Sequence, residues 1–135
     1  NMLTRVDVRQ YWDYISSGLN KIKEESNPDW RVEDIYAAVL NNSAELYVDL
    51  EESKCGSFII LQEKPNPFNL NTSLLVWIAY DVRGGAADKY MHEIECIARD
   101  KNCNKIEFWT PWIQLAEALS DKGYKTKYYI VEKNL

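Results

Sequence analysis

The sequence contains few of the residues that build metal centres and disulfide frameworks. It has a single histidine, His92, and an odd number of cysteines, namely Cys55, Cys96 and Cys103, with no Cys-x-x-Cys pair. Because a structural zinc site needs about four Cys or His ligands at short spacings, this composition excludes a zinc centre. The three thiols are typical of a protein that stays reduced, so we expect no bound metal and a cytoplasmic location.

Positive charge and long apolar runs are also scarce. The chain has 16 Lys and Arg residues against 21 Asp and Glu residues, which gives a net charge of −5. Nucleic-acid binding requires clustered basic residues, so nucleic acid is not expected as the main partner. No apolar run approaches the roughly 20 residues of a transmembrane helix, and the first residues lack the pattern of a signal peptide. We therefore expect a soluble protein that does not enter membranes.

What the sequence does contain is an alternation of helix and strand patterns, typical of a single α/β (α+β) domain over residues 1–135. Apolar residues at helical spacing predict amphipathic helices over about 9–25 and 32–40. A hairpin follows, whose first strand, Leu46–Leu50, is predicted to be half-buried and whose second contains Phe58–Leu61. The hairpin predicts antiparallel pairing in the first half of the sheet.

The remaining connections and elements follow from turn residues and short apolar patterns. The segment Glu51–Lys54 is predicted to be a charged turn, and Lys64–Asn69, which contains two prolines, is predicted to be irregular. In the second half, strands alternate with helices, which implies parallel pairing. A short strand near Ile106–Phe108 precedes a short helix, and Tyr124–Val131 is predicted to close the chain as a strand.

The most informative stretch is the continuous apolar run Leu74–Tyr80 and the turn that follows it. A strand that is apolar at every position is buried on both faces, in the middle of a sheet. Gly84 and Gly85 then allow a sharp turn, and a helix begins that is predicted to end near Asn102. The amides at the start of this helix are suited to binding phosphate. The alternative is that this strand, turn and helix are only a connection between elements.

This arrangement resembles the GNAT-type N-acetyltransferase superfamily, in the order of its elements, in its glycine turn and in the Gly123-Tyr124 ending of the small helix. Members of the superfamily bind acetyl-CoA at a turn that typically reads Arg/Gln-x-x-Gly-x-Gly/Ala. Here Asp81-Val82-Arg83-Gly84-Gly85-Ala86 keeps Gly-x-Ala but has Asp in the Arg/Gln position. The resemblance implies a mixed central sheet of about six strands flanked by four helices, with a splayed pair formed by the strands Leu74–Val82 and Lys105–Thr110.

Two further segments are similar to those of small GNAT-like proteins encoded by tailed bacteriophages. One is Ile94–Glu107; the other is the ending Leu119–Tyr124 followed by a strand that finishes in Glu132-Lys133. This likeness implies a phage-encoded protein that is present in the host cytoplasm or in the virion.

The resemblance also implies the ligands of the site. Acetyl-CoA or another acyl-CoA is the expected cofactor, and the acceptor is an amine of a small molecule or a protein. The side chains of Arg83 and Lys89 are expected to assist through charge-assisted contacts to phosphate. The main chain is expected to hold the pantetheine amide and the pyrophosphate at the residues of the turn: Val82, Arg83, Gly84, Gly85, Ala86 and Ala87.

Candidates for the chemistry itself are few. Asp81 and Glu107 lie near the expected cleft and are candidates for the base that removes a proton from the amine; alternatively, both are solvated residues at strand ends. The indole rings of Trp30, Trp109 and Trp112 either line a substrate pocket or cover the edge of the core. His92 is expected on the surface of its helix.

One departure from the resembling family bears directly on catalysis. Active members often use a tyrosine, four residues before the glycine of the small-helix ending, as general acid for the departing thiolate. The matching residue here is Leu119, which cannot donate a proton. Three functions therefore remain open: an N-acyltransferase, a catalytically silent phage accessory, virion-associated or host-interaction protein of the same fold, and an α+β binding module whose glycine turn is only a connector.

Overall fold

The computed structural model describes residues 3–51 and 57–135. Most of the predicted charged turn after Glu51, together with Cys55, lies outside these described residues. Within them, no helix is both long enough and apolar enough to cross a bilayer. In chain order the elements are β1 Leu3–Arg5, α1 Val8–Ser26, α2 Val32–Leu40, β2 Glu45–Asp49, β3 Phe58–Pro65, β4 Thr72–Tyr80, α3 Ala86–Lys89, α4 Met91–Asp100, β5 Lys105–Phe108 and α5 Ile113–Ser120.

The five strands form one mixed sheet in the sequential order β1-β2-β3-β4-β5. The pairs β1–β2, β2–β3 and β3–β4 are antiparallel, and β4–β5 is parallel. Antiparallel pairing in the first half and parallel pairing in the second confirm the sequence prediction. The sheet has five strands rather than about six, because the segment predicted to close the chain pairs with no described residue.

Both faces of the sheet are covered. Phe58 and Ile60 of β3 point into a core formed with α1 and α2, whereas the alternate residues Ile59 and Leu61 point into a second core formed with α3 and α4. β2 is buried at every position from Leu46 to Asp49, so the prediction of a half-buried strand there is wrong. The reason is that helices lie on both sides of this part of the sheet, which overrides the alternation in the sequence.

Two predicted boundaries also differ. β3 continues through Lys64 to Pro65, which pairs with Thr72, so the irregular segment begins later than predicted. Proline ends the strand, because it has no N–H to donate to a further bond of the ladder. The single helix predicted after the glycine turn is divided into α3 and α4 at Tyr90, although the helical hydrogen bond from the Tyr90 N–H to Ala86 is kept. Asn102 has φ +57, the left-handed conformation expected at the helix end.

The C-terminal segment departs most from its prediction. The strand predicted over Tyr124–Val131 is not formed: residues 124–135 contain neither helix nor strand. Tyr124 is anchored, since its ring packs edge-to-face on Phe108 at 5.6 Å and its hydroxyl contacts the Met91 sulfur at 3.1 Å. After Tyr124 every residue is exposed. β-propensity describes a readiness to pair, and among the described residues no strand pairs with this segment.

Candidate functional site

The strands β4 and β5 separate before β4 ends. Their parallel ladder begins at Ser73 and stops at Val76, which lies opposite Phe108, the last residue of β5. β4 continues to Tyr80 and remains paired with β3 on its other side. Among the described residues, positions 77–80 therefore have no partner on the β5 side. This opening is the splayed strand pair that the resemblance implied, and it differs from the unbroken pairing expected of a plain connector.

The glycine turn lies at the end of the open part of β4. Gly84 and Gly85 have φ values of +79 and +74, a region that residues with a Cβ rarely adopt, and α3 begins immediately afterwards. Within the described part of the chain, the N–H groups of Gly85, Ala86 and Ala87 have no hydrogen-bond acceptor. Three consecutive amides of this kind at the start of a helical segment form a suitable position for an anion.

Asp81 holds the first half of this turn. Its side chain is 1% exposed and accepts hydrogen bonds from the Arg83 N–H at 2.8 Å, the Ser57 hydroxyl at 2.8 Å and the Lys89 ammonium at 3.1 Å. The Asp81 carbonyl accepts the Gly84 N–H at 2.8 Å. Burial alone would raise the pKa of Asp81, but the hydrogen bonds that the carboxylate accepts have the larger combined effect and lower the pKa to about 2. Such a carboxylate is a poor base near neutral pH, and its contacts indicate that it fixes the turn.

A second buried contact lies beneath the first. The Tyr90 hydroxyl donates to the Asp49 carboxylate at 2.7 Å, and both residues are fully buried. Burial and this hydrogen bond raise the pKa of Tyr90 to about 12, so the phenol keeps its proton and continues to donate. The Lys89 ammonium lies 5.3 Å from the centre of the Tyr90 ring while it contacts Asp81. Lys89 is thus held between the Asp81 carboxylate and the Tyr90 ring.

The opening and the turn border a cavity of about 430 Å³. Its lining residues come from the carboxyl-terminal half of α1, from the end of β4, from the glycine turn and from Trp112. A second hollow, of about 380 Å³, lies elsewhere, around Arg5 and Asn42, and contains none of the predicted site residues. The residues that line the larger cavity are Lys21, Ile22, Glu25, Ser26, Ala79, Tyr80, Asp81, Val82, Arg83, Gly84, Gly85, Ala86 and Trp112.

The three tryptophans lie in different places. Trp112 lines the cavity and is half exposed. Trp30 packs against the core on the α1 and α2 side, where the Lys23 ammonium lies 5.9 Å from its ring. Trp109 is 62% exposed and its ring is 5.2 Å from the Lys64 ammonium. The structure therefore brings one of the three predicted pocket residues to the cavity.

Glu107 and His92 lie away from the cavity lining. Glu107 faces its neighbours on the sheet, where the Trp109 indole donates to it at 3.2 Å. Hydrogen bonding by Ser73 lowers the pKa of Glu107, with Trp109 acting in the same direction and burial opposing both. His92 is exposed on α4, as predicted, with the Cys96 sulfur 3.8 Å from its Nε2 atom.

The end of α5 places Leu119 inside the protein. Leu119 is 6% exposed, and its carbonyl accepts the N–H groups of Lys122 and Tyr124 around Gly123, whose φ of +90 is the left-handed cap predicted there. The Tyr124 phenol is directed to Met91 and does not line the cavity. No phenol from α5 or its cap therefore reaches the opening.

Sequence reasoning located the turn but missed the side chains beneath it and the wall opposite it. Ser57 and Asp49 lie in or beside strands far from the turn in sequence, and a single polar residue at a strand end is not a distinctive signal. Lys21 and Glu25 fall within the amphipathic helix predicted over about 9–25, where polar residues are expected on the solvent face. Their four-residue spacing places them on one side of the helix, which was the available signal.

Comparison with known proteins shows the fold. No protein-family model and no curated protein sequence matches the chain. Solved structures do match over nearly its whole length. A candidate acetyl transferase from Pyrococcus furiosus superposes with a TM-score of 0.74 at 16% identity, covering 99% of this chain and 100% of its own.

Two further matches act on chemically different molecules. An aminoglycoside acetyltransferase from an uncultured soil metagenomic sample, in complex with sisomicin, has a TM-score of 0.71 at 12% identity and covers 99% of this chain and 95% of its own. A ribosomal-protein-alanine N-acetyltransferase from Brucella melitensis biovar Abortus 2308 has a TM-score of 0.69 at 15% identity and covers 98% and 100%. At these identities the matches show that the chain has the fold of GNAT acetyltransferases.

Proposed function

We propose that the protein binds acetyl-CoA or another acyl-CoA and transfers its acyl group to an amine. The observation that carries this proposal is the position of the splayed strands beside three consecutive amides, those of Gly85, Ala86 and Ala87, that have no acceptor among the described residues. An anion fits at the amides, and a thioester fits in the gap that they border. The acetyltransferase fold of the matched structures supports the same assignment.

The anionic end of the cofactor would lie at the turn. The amides of Gly85 to Ala87 would donate to the pyrophosphate. The Arg83 guanidinium, whose Nε lies 3.5 Å from the Asp81 carboxylate and whose side chain is 62% exposed, would add charge-assisted hydrogen bonds through its outer nitrogens. Lys21, across the cavity, would supply a second positive charge. Asp81 and Lys89 would act through the main chain, by keeping the amides aimed at the cavity.

The thioester would lie along the open edge of β4. Because β5 has left the sheet there, alternate main-chain N–H groups of residues 77–80 point into the gap, where one would stabilise the oxyanion that develops on the thioester carbonyl. When bound, the acyl-CoA would supply the acyl group for attack by the amine nitrogen, with the CoA thiolate as leaving group. Of the described carboxylates that line the cavity, Asp81 is committed to the turn, so Glu25 would accept the amine proton, directly or through water.

The acceptor is proposed only as an amine. The two acetyltransferases with known substrate classes act on an aminoglycoside in one case and on a ribosomal protein in the other. Both a small molecule and a protein therefore remain candidates. Trp112 at the cavity edge offers a flat apolar surface to either.

Titration calorimetry with acetyl-CoA tests the proposal. Saturable binding below 1 mM is expected, and the Arg83→Glu variant should bind at least about tenfold more weakly, since it removes a charge-assisted hydrogen bond. Arg99→Glu makes the same charge change on the exposed side of α4 and should bind like the wild type. Absence of binding to the folded protein at millimolar acetyl-CoA would contradict the proposal.

A second candidate keeps the fold and the cofactor site but lacks turnover. It is favoured by the burial of Leu119 at the position where the resembling family has a general acid, and by the contact that turns Tyr124 away. The phage accessory role stays a prediction from the sequence. General acids contribute about 10²–10⁴-fold, so weak activity without one is also consistent with an enzyme.

One substitution and its control distinguish the active enzyme from the catalytically silent protein. If the site is catalytic, Glu25→Gln should lower acyl transfer to a panel of amines by about 10²-fold, because it removes the proposed base, whereas Glu24→Gln, at an exposed residue outside the cavity lining, should not. CoA release by the wild type and both variants provides the measurement. Saturable binding with no release in any of the three would favour the silent protein.

A further inference from the structure

The face of α1 that borders the cavity combines a charged and an apolar character. It contributes two pairs of residues four positions apart, Lys21 with Glu25 and Ile22 with Ser26, to the cavity lining. Glu25 and Ile22 are three positions apart and are therefore neighbours on this face. A carboxylate that is suited to an ammonium group thus lies next to an apolar side chain.

Negative charge is limited in this cavity. Of the described carboxylates that line it, Asp81 is buried and already accepts three hydrogen bonds, which leaves the exposed Glu25 available to a ligand. Lys21 and Arg83 line the same cavity with positive charge. A polyamine or an aminoglycoside carries several ammonium groups, and these two cations would repel those that find no carboxylate. The charges of the lining therefore fit an acceptor with a single ammonium group.

Other side chains of the lining are suited to an apolar body. Tyr80 and Trp112 contribute aromatic side chains, and Ile22 and Ala79 contribute aliphatic ones. The Tyr80 ring is stacked on Phe58 with 5.4 Å between the ring centres, whereas Trp112 is half exposed and accessible to a ligand. Aromatic faces bind apolar groups and also attract ammonium ions. An amine with an apolar body would therefore gain contacts that a hydrophilic amine lacks.

The size of the cavity limits the acceptor further. Its volume of about 430 Å³ is at the lower end of the range for small-molecule sites, about 300–1,000 Å³. The acyl arm of the proposed cofactor would occupy part of this space. The remaining volume is suited to a small amine.

We propose that the acceptor is a small primary amine with one positive charge and an aromatic or other apolar body. Its ammonium group lies at Glu25, and its body lies against Ile22 and Trp112. The inference rests on the proposed function and deepens it, because it names the class of amine and excludes polycations.

Calorimetric titration of amines into the protein saturated with CoA tests this inference without requiring turnover. 2-Phenylethylamine should bind at least about tenfold more tightly than ethanolamine, which has the same charge but a hydrophilic body. It should exceed spermidine, which has three charges, by a similar factor. Equal or tighter binding of ethanolamine or spermidine would overturn the inference.

Two tryptophans provide a matched pair of variants. Trp112→Ala should reduce the preference for 2-phenylethylamine over ethanolamine by about fivefold or more, because it removes an aromatic surface from the cavity. Trp109→Ala makes the same change at an exposed ring outside the cavity lining and should keep the wild-type preference. An unchanged preference in Trp112→Ala, or an equal loss in both variants, would contradict the proposed position of the body.

Failure of this inference and failure of the proposed function give different results. If neither CoA nor acetyl-CoA binds to the folded protein, the proposed function is wrong and the acceptor class is wrong with it. If the cofactor binds and the amines bind without preference, or none of them binds, the acceptor class alone is wrong.

Discussion

The glycine turn and the C-terminal segment both leave backbone groups unused by the chain, but the two regions are held very differently. At the turn, the buried carboxylate of Asp81 accepts three hydrogen bonds. Nearby, the buried Tyr90 hydroxyl donates to the Asp49 carboxylate. Beyond Tyr124, the segment has no buried residue at all. The difference teaches that amides without an acceptor indicate a preformed ligand site when buried contacts hold them in place, whereas an exposed segment without buried residues does not by itself define such a site.

The largest expected effect comes from removal of the Asp81 carboxylate, because the glycine turn would then lose the contacts that distinguish it from the C-terminal segment. Asp81→Ala removes a buried carboxylate that accepts hydrogen bonds from the Lys89 ammonium, the Ser57 hydroxyl and the Arg83 amide. Breaking a buried pair in this way costs about 3–5 kcal/mol of the free energy of unfolding. Urea unfolding gives the value, and Asp88→Ala, which breaks an exposed pair with Lys122, should cost less than about 1 kcal/mol. Equal losses for both variants would show that Asp81 does not hold the turn.

Protonation of Asp81 should lower the free energy of unfolding over a defined range of acidic pH. The pKa of Asp81 is lowered from 3.8 to about 2 in the folded protein. A carboxyl with a depressed pKa stabilises the fold above its unfolded pKa, and this stability is lost as the pH falls from about 4 to 2. The loss should be about 2 kcal/mol. Urea unfolding across this range should show a steeper decline for the wild type than for Asp81→Asn; parallel declines would contradict the assignment.

The close packing of α1 against β3 and β4 provides a further test of this comparison. Gly18 lies against β3 and β4, and a Cβ there would be 2.8 Å from atoms of the Phe58 and Tyr80 rings. Gly18→Ala should therefore destabilise the protein by about 1–2 kcal/mol, despite the better helix propensity of alanine. Thermal unfolding measures this, with the exposed Ser17→Ala as control. A more stable Gly18→Ala protein would mean that α1 moves freely relative to β4.

The smallest expected effect separates backbone strain from ligand binding. Gly85 and Gly123 both have positive φ and nothing within 4 Å of an added Cβ. Each Gly→Ala change should cost about 1 kcal/mol of unfolding free energy, since only the backbone conformation is penalised. Calorimetry should show weaker acetyl-CoA binding for Gly85→Ala alone. A matching loss of affinity in Gly123→Ala would remove the distinction between the two turns.

The sequence was sufficient for the parts of the fold that depend on continuous patterns. The apolar run Leu74–Tyr80 predicted the central strand, and the glycines after it predicted the turn, because both signals are local. The contacts that fix the turn are not local: Ser57 is 24 positions from Asp81, and Asp49 is 41 positions from Tyr90. No spacing rule connects residues that meet only after the sheet has formed.

The C-terminal segment shows where a local pattern is not sufficient to predict the structure. Its residues predicted a strand from intrinsic preference, yet a strand exists only when a second edge is paired with it. β2 differed for a related reason, since burial on both faces depends on helices that lie far away in sequence. Pattern analysis thus described what each segment prefers, and the arrangement of neighbours decided the outcome.

The central claim is that the amides at the start of α3 form the cofactor site. The most direct measurement is an amide-resolved NMR titration of the labelled protein with CoA. The account predicts the largest shifts at Gly85, Ala86 and Ala87, with little change around Asn42 in the other hollow. Unchanged amides at Gly85 to Ala87 in millimolar CoA, or larger shifts at a different surface, would contradict it.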